Sequence, residues 1–283
     1  MAAIKITCDS TCDLPRALCE KFDISVAPLS VRMGDRACHD GVDVTADELF
    51  RFVEQTGALP TTAAVSPGEY VEFFRPFVEA GMEVIHINIS TKLSSCHQNA
   101  ALAAEDLGHI HPIDSYNLSS GSGHLALAAA EMAAAGMEAN AIVDCLNEMK
   151  TRLDVSFVIQ TLDFLHKGGR CSGLAAFGAN LLKIRPEIEV ADGAMQVGRK
   201  YRGSMEKTVL DYVSGRLEGR TDLDLHRIFV THSTMPREVV EAAIARVKKL
   251  QPFEEVIESD AGCTISTHCG PACIGVLFFT KKQ

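Results

Sequence analysis

The segment "VIHINISTKLSSCHQNAALAAE", residues 84–105, joins an apolar run to an alanine-rich run through a short loop. The apolar run is typical of a buried strand, and the alanine-rich run predicts a helix. A strand that leads directly into a helix is the repeating unit of a parallel sheet covered by helices on both faces. Four side chains of the connecting loop are hydroxyls, namely Ser90, Thr91, Ser94 and Ser95.

The same alternation runs through the first half of the chain. Residues 4–8 predict a strand, and Pro15 after it suits a first helical turn. Capping-box patterns predict helix starts at Thr45, with Glu48 three residues later, and at Ser66, with Glu69 three later. Further predicted elements are strands at 109–114 and 155–160 and helices at 98–107, 124–136 and 139–153. We therefore predict an N-terminal α/β domain with a parallel sheet over residues 1–160.

The pattern changes after residue 170. An Ala/Gly-rich run predicts a helix up to Leu182, and Asp192-Gly193 lies between two alternating runs. Asp-Gly in that position is a strong hairpin signal, so antiparallel pairing is expected here. A helix capped at Ser204, a helix after Pro236 and strands at 227–232 and 273–280 complete the pattern. These elements predict a C-terminal α+β domain over residues 161–283.

Composition excludes several classes of function. The net charge is −10, and no cluster of Lys and Arg offers a surface for nucleic acid. No apolar run is long enough to span a membrane and the start lacks a leader pattern, so a cytoplasmic protein without stable membrane insertion is expected. The ten cysteines are scattered, and their spacings, like that of the His109/His111 pair, do not match structural zinc sites. We expect no metal and no cofactor.

The hydroxyl loop after residue 89 lies where ligands bind in open parallel sheets, beyond the carboxyl ends of the strands. It contains no glycine, which disfavours a nucleotide phosphate cradle. Lys92 is its only charged residue, and the hydroxyls around it suit a carboxyl group better than a phosphate. The alternative is structural: Ser94 or Ser95 caps a helix and the other hydroxyls are turn residues.

Three further segments carry polar residues at predicted loops. "PTTAAVSPGEY", residues 60–70, places Thr61 and Thr62 before a capped helix. "DSYNLSSGSGH", residues 114–124, is Gly-rich but matches neither a nucleophile elbow nor a dinucleotide fingerprint. Arg170 follows a double glycine, and His268 precedes a tight turn. Either residue alone is as well explained by a surface charge or a satisfied loop histidine.

Taken in order, these segments resemble the DegV family of bacterial lipid-binding proteins. The resemblance covers nearly the whole chain. It rests on seven segments: ITCDSTCDLP (6–15), PTTAAVSPGEY (60–70), INISTKLSSCHQNA (87–100), IDSYNLSSGSG (113–123), TLDFLHKGGRCS (161–172), RPEIEVADG (185–193) followed by KYRG (200–203), and THCGPACIGV (267–276).

The resemblance implies a two-domain protein with a long-chain fatty acid buried between the domains. The carboxyl group would be held by Thr62 and Ser94, with the adjacent Thr61 and Ser95 as further candidates. Family members resemble the subunit of bacterial fatty acid kinase that presents the acid to a separate ATP-dependent kinase protein, which forms the acyl-phosphate for phospholipid metabolism. An arginine and a histidine at the pocket mouth are implied in that step, and the matching residues are Arg170 or Arg202 and His268.

This sequence departs from the family pattern at the head-group loops. Ala63 and Ala64 stand where the pattern has a hydroxyl and an amide, and Ser95 replaces a glycine. The acyl tail should still dominate affinity, because burying ~15 methylenes at ~0.8 kcal/mol each outweighs hydrogen bonds that contribute ~1 kcal/mol each. The hydroxyls would decide which end of the ligand enters the site, since a carboxyl group buried without partners is strongly disfavoured.

Two other functions fit parts of the sequence. A serine esterase or acyltransferase acting on a lipid would use Ser94 or Ser95 with His97 or His268, and needs a nucleophile in hydrogen-bond reach of its base. A DNA-associated regulator is disfavoured by the acidic balance. A fatty-acid-binding protein without chemistry of its own is the interpretation that we favour.

Overall fold

A computed structural model describes residues 2–171 and 184–282. The strands are β1 (Ile4–Asp9), β2 (Ser25–Ala27), β3 (Ser30–Met33), β4 (Arg36–His39), β5 (Thr61–Ala63), β6 (Glu83–Asn88), β7 (Ile110–Asp114), β8 (Leu153–Val158), β9 (Ile184–Ala191), β10 (Ala194–Arg202), β11 (Leu223–His232), β12 (Glu255–Asp260) and β13 (Ile274–Thr280). The α-helices are α1 (Arg16–Lys21), α2 (Ala46–Thr56), α3 (Pro67–Glu79), α4 (Cys96–Leu107), α5 (Ser120–Ala134), α6 (Ala139–Met149), α7 (Asp163–Gly168), α8 (Met205–Leu217), α9 (Arg237–Leu250) and α10 (Cys263–Cys269). The helix predicted up to Leu182 lies outside the described residues.

The first sheet is parallel, in the strand order β2-β1-β6-β7. One face packs against α3 and α4, where Tyr70, Phe74 and Ala100 join one core cluster. The other face packs against α5 and α6, where Leu125 and Leu146 join a second cluster. The predicted parallel sheet with helices on both faces is confirmed.

The second sheet has six strands, in the order β10-β9-β8-β13-β11-β12. Its pairs are antiparallel except for β11 and β12, which are parallel. The predicted Asp192-Gly193 hairpin connects β9 and β10, and both residues have the positive φ that such a turn requires, 49° and 80°. The expectation of antiparallel strands in the second half is confirmed.

The strand predicted over residues 155–160 was wrongly assigned to the parallel sheet. β8 instead pairs antiparallel with β9 and β13 of the second sheet. Its apolar composition marks it as a strand buried on both faces but carries no information on which sheet it joins. That choice is made by partners far along the chain.

A third sheet, with the order β4-β3-β5, was not anticipated. Its strands contain only three or four residues each, too short for a clear alternating pattern. Thr61 and Thr62, which the sequence places in a turn, therefore lie on strand β5. Thr62 pairs with Val31 in this antiparallel sheet.

The predicted helix starts are confirmed in detail. The hydroxyls of Thr45 and Ser66 each accept a hydrogen bond from the backbone N–H three residues later. In return, the carboxylates of Glu48 and Glu69 accept from the backbone N–H of Thr45 and Ser66. Ser204 caps α8 in the same way, accepting from the backbone of Lys207. No helix within the described ranges is long and apolar enough to cross a membrane.

Helix α5 lies between the two large sheets, and its first eleven residues are buried. Within it, His124 Nε2 donates to the carbonyl oxygen of Leu277 on β13 at 2.9 Å, and the ring meets Phe229 and Phe279 edge-on. Burial lowers the pKa of His124 from 6.5 to about 4, with a smaller opposing effect of this hydrogen bond. The buried ring is therefore neutral at pH 7.

This burial makes stability depend on pH. Between pH 6.5 and pH 4 the unfolded chain binds a proton that folded His124 does not, so stability falls as pH falls through this range. We expect about 2 kcal/mol of this loss between pH 7.5 and pH 5.0. His124→Gln keeps a side-chain donor but does not titrate, so it should remove that part of the pH dependence. Urea unfolding of both proteins at the two pH values checks this, and an equal pH dependence would contradict it.

Candidate functional site

A narrow pocket with a volume of about 50 Å³ lies beyond the carboxyl ends of the parallel strands. The first half of the chain supplies one wall and the second half the other. Its lining consists of Leu29, Thr62, Ala63, Ala64, Ile89, Leu93, Ser94, Leu118, Arg170, Met195, Thr264, Ile265, His268 and Cys269. Most of these side chains are apolar, so the pocket is hydrophobic with a few polar groups.

Four of the predicted site residues meet in this pocket: Thr62, Ser94, Arg170 and His268. The other three candidates do not line it. Thr61 is exposed on β5, Ser95 is exposed at the start of α4, and Arg202 is exposed at the end of β10.

The loop of residues 89–95 is held in place by its own hydroxyls. Ser90 Oγ donates to the carbonyl oxygen of Gly193 at 2.7 Å, which fastens the β9–β10 hairpin to the loop. A side chain at Gly193 would collide with this same Ser90 oxygen. Thr91 donates to the carboxylate of Asp114 at 2.6 Å, at the end of β7. Two of the four hydroxyls that the sequence singled out are therefore structural.

Ser94 is the hydroxyl of this loop that reaches the pocket. Its Oγ accepts from the backbone N–H of Cys96 at 3.3 Å and donates to Cys96 Sγ at 3.2 Å. Burial raises the pKa of Cys96 to about 12, so the residue is a thiol. Ser95 occupies the N-cap position of α4, although its side chain makes no capping hydrogen bond.

Behind the loop lies a buried polar network that sequence reasoning missed. The carboxylate of Asp9, at the end of β1, accepts from Tyr70 at 2.5 Å, from His86 at 3.1 Å and from Asn88 at 3.2 Å. It also accepts from the backbone N–H of Ile89 at 3.0 Å. Burial, followed by the neighbouring Asp9 charge, raises the pKa of Tyr70, which keeps its proton on the oxygen. The network fixes Ile89, the first residue of the loop of residues 89–95.

Thr62 and His268 meet across the pocket. Thr62 Oγ1 lies 2.8 Å from His268 Nε2, which joins β5 to α10. Burial lowers the pKa of His268 to about 4, and the charge of Arg170 adds to this effect. The imidazole is therefore neutral at pH 7. When Nε2 carries the proton, it donates to Thr62 and leaves the threonine O–H to point at a ligand.

Two buried aspartates from the first half of the chain hold α10 in position. Asp40 accepts from the backbone N–H groups of Cys263 at 2.7 Å and Thr264 at 3.0 Å. Asp13 accepts from the backbone of Gly262 at 2.9 Å. These bonds satisfy amide groups at the helix start that have no partner within the helix. Helix α10, which carries His268, is thus bound to residues from the first half of the chain.

A second, smaller chamber of about 20 Å³ adjoins this pocket. The two spaces share Leu118, Ile265 and Cys269, and the chamber reaches the six-stranded sheet. Its other lining residues are Ser119, Val155, Phe157, Thr231, His232, Ser233, Ala261, Cys273, Gly275 and Leu277.

The geometry does not favour the hydrolase alternative. Among the hydrogen bonds of the described residues, Ser94 pairs with Cys96 rather than with a histidine, and His97 Nδ1 is buried without a partner. Within residues 2–171 and 184–282, no group of three or more His, Cys, Asp or Glu side chains could hold a metal ion.

Both the sequence and the fold of this chain are similar to those of known proteins. The sequence profile of the DegV family, described as uncharacterised proteins, matches residues 3–281. The chain belongs to the DegV family. A DegV domain-containing protein of Clostridium acetobutylicum is 32% identical over 99% of this chain and all of its own length.

Solved DegV structures share the fold closely. A DegV family protein of Thermus thermophilus, described as binding fatty acid, has a TM-score of 0.88 and 29% identity, covering 99% of this chain and 100% of its own. A Thermotoga maritima protein described as having a fatty acid binding function has a TM-score of 0.85 and 26% identity, with coverage of 99% and 100%. A stearic acid-binding protein of Eubacterium ventriosum has a TM-score of 0.85 and 27% identity, with 99% coverage of both chains.

The position of His268 depends on a glycine of α7. A Cβ at Gly168 would lie 2.4 Å from His268 Nδ1. Gly168→Ala should therefore displace the imidazole from Thr62, destabilise the protein and weaken any ligand that the pair contacts. Gly68→Ala in α3 is the matched control, because a Cβ there meets nothing within 4 Å. Thermal unfolding of both variants checks this, and a Gly168→Ala protein as stable as the control would contradict it.

Proposed function

We propose that this DegV protein binds a long-chain fatty acid, with its carboxyl group at Thr62 and Ser94 and its acyl chain directed toward the adjoining apolar chamber. One observation carries the proposal: two hydroxyls and a neutral imidazole line a narrow, otherwise mostly apolar pocket, and a second, largely apolar chamber shares three of its lining residues. Relatives described as fatty-acid-binding proteins support it.

The apolar and the polar lining residues of the pocket would contribute differently to fatty-acid binding. The apolar walls supply most of the affinity, at roughly 0.8 kcal/mol for each methylene removed from water. The hydroxyls orient the ligand, because they can satisfy the carboxyl oxygens whether or not the group carries a proton. Ala63 and Ala64 line the pocket beside Thr62 and add only methyl groups to this wall.

Native mass spectrometry of the protein purified from a heterologous host tests the proposal directly. A mass increment that denaturation releases, and that lipid extraction identifies as a fatty acid, is the expected result. A preparation free of lipid that also fails to bind added palmitic acid would overturn it.

The carboxyl contacts are tested by Thr62→Val combined with Ser94→Ala. Removing two hydrogen bonds of about 1 kcal/mol each should weaken palmitic acid binding roughly 10- to 30-fold. Thr61→Val combined with Ser95→Ala is the matched control, since both residues are adjacent in sequence but do not line the pocket. Displacement of a fluorescent fatty acid gives both affinities. Equal affinities of the two double variants would show that the assignment of Thr62 and Ser94 is wrong.

We further propose that the bound acid is presented to a separate ATP-dependent kinase, which forms the acyl-phosphate. Arg170 supports this role, because it is exposed at the pocket rim and its charge influences His268. Arg202 lies outside the pocket lining, so it would act, if at all, through contact with the kinase.

The presentation step is tested with a recombinant fatty acid kinase and ATP, with acyl-phosphate trapped as the hydroxamate. Arg170→Ala should retain bound palmitic acid but lower hydroxamate formation, because the residue lies at the rim rather than in the chamber. Lys167→Ala, an exposed change three residues earlier near the end of α7, is the control. Unchanged turnover with Arg170→Ala would remove this residue from the proposal.

The setting of the protein is part of the same proposal. We place it in the cytoplasm, where ATP is available, and the cysteines of the described structure are thiols, as a reducing compartment favours. We also propose a two-domain division with the ligand between the domains. The sheet assignment of β8 favours a boundary before Leu153 rather than at residue 160.

A further inference from the structure

One buried hydroxyl in the pocket wall has no partner. Thr264, in the first turn of α10, is only 4% exposed and lines the same pocket as Thr62 and Ser94. Its Oγ1 makes no hydrogen bond with any residue that the structure describes. Buried hydroxyls in folded proteins are normally paired, so an orphan of this kind at a pocket wall points to a missing partner.

The other hydroxyls of the same helix show that this is not a property of α10. Ser266 Oγ donates to the carbonyl of Ala261 at 3.1 Å, and Thr267 Oγ1 donates to the carbonyl of Cys263 at 2.8 Å. Both bonds run back to carbonyls four or five residues earlier. Thr264 Oγ1, in the same helix, makes no such bond to an earlier carbonyl of the described residues.

Thr264 is also on the helix face that carries the head-group contacts. Residues four apart on a helix lie one above the other, and His268 is four positions after Thr264. His268 in turn contacts Thr62 Oγ1 at 2.8 Å. The backbone N–H of Thr264 is bound by Asp40, which fixes the residue against this wall. Thr264, His268 and Thr62 thus all line the same pocket.

We propose that the hydroxyl of Thr264 is a third donor to the carboxyl group of the bound fatty acid. This inference rests on the proposed fatty-acid binding. A carboxylate offers about four lone-pair sites on two oxygens, more than Thr62 and Ser94 alone satisfy. Thr264 belongs to α10, whereas Ala63 and Ala64, which line the pocket beside Thr62, provide no polar group. The acid is then held by hydroxyls from both halves of the chain.

The hydroxyl has opposite effects on stability and binding if this is correct. Thr264→Val replaces it with a methyl group of nearly the same shape, which removes an unpaired polar atom from the ligand-free protein. The unfolding temperature of the delipidated variant should equal or exceed that of the wild type. Its affinity for palmitic acid should fall about fivefold to tenfold, the effect of one lost hydrogen bond. Thr264→Ser keeps the hydroxyl and should bind within about twofold of the wild type.

Displacement titration and thermal unfolding of the delipidated proteins give these values. Wild-type affinity in Thr264→Val, or equal losses in Thr264→Val and Thr264→Ser, would overturn the inference while leaving the proposed function intact. So would a lower unfolding temperature of the valine variant without ligand, because it would show that the hydroxyl has a structural partner. Failure of the wild type itself to bind palmitic acid would overturn both.

A wild-type crystal structure with palmitic acid provides a test that does not depend on a variant. Thr264 Oγ1 should lie within about 3.0 Å of a carboxyl oxygen, the range of an O–H···O hydrogen bond. A bound acid whose carboxyl group lies beyond hydrogen-bond reach of Thr264 would overturn the inference.

Discussion

The buried carboxylate of Asp9 is the group on which the head-group loop depends. It lies at the carboxyl end of β1 and is bound by Tyr70 from α3, by His86 and Asn88 from β6, and by the first amide of the loop. A charged group removed from water is tolerated only when its oxygens are satisfied in this way. Because its oxygens need these donors, Asp9 holds α3, β1, β6 and the loop of residues 89–95 together. The position of Ser94 within that loop depends on these contacts.

Buried aspartates also hold α10, which forms the second wall of the pocket. Asp13 and Asp40 bind the first amides of α10, so a helix from the end of the chain is anchored to loops near its start. On the opposite side, Ser90 holds the tip of the β9–β10 hairpin. A pocket built at such a junction is shaped by polar contacts at its edges and left apolar within. This arrangement suits a ligand with one polar end.

The polar end of the pocket is neutral rather than cationic. Burial keeps His268 uncharged at pH 7, and the guanidinium of Arg170 lies at the exposed rim. A carboxyl group placed there meets hydroxyl and imidazole groups, which match either protonation state without requiring a buried ion pair. The fixed charge at the mouth is therefore accessible from outside the pocket, as the proposed presentation of the acid to a kinase requires.

Local sequence patterns predicted the strand-loop-helix units, the capping boxes at Thr45 and Ser66 and the Asp192-Gly193 hairpin, because these depend on neighbours within a few residues. The family resemblance marked Thr62, Ser94, Arg170 and His268, which line the pocket, and also Arg202 and the adjacent Thr61 and Ser95, which do not. Only the tertiary structure separated the two sets, assigned β8 to the second sheet and exposed the unpaired hydroxyl of Thr264. Those outcomes depend on pairing and packing between residues far apart in the chain, and local patterns carry no information about such partners.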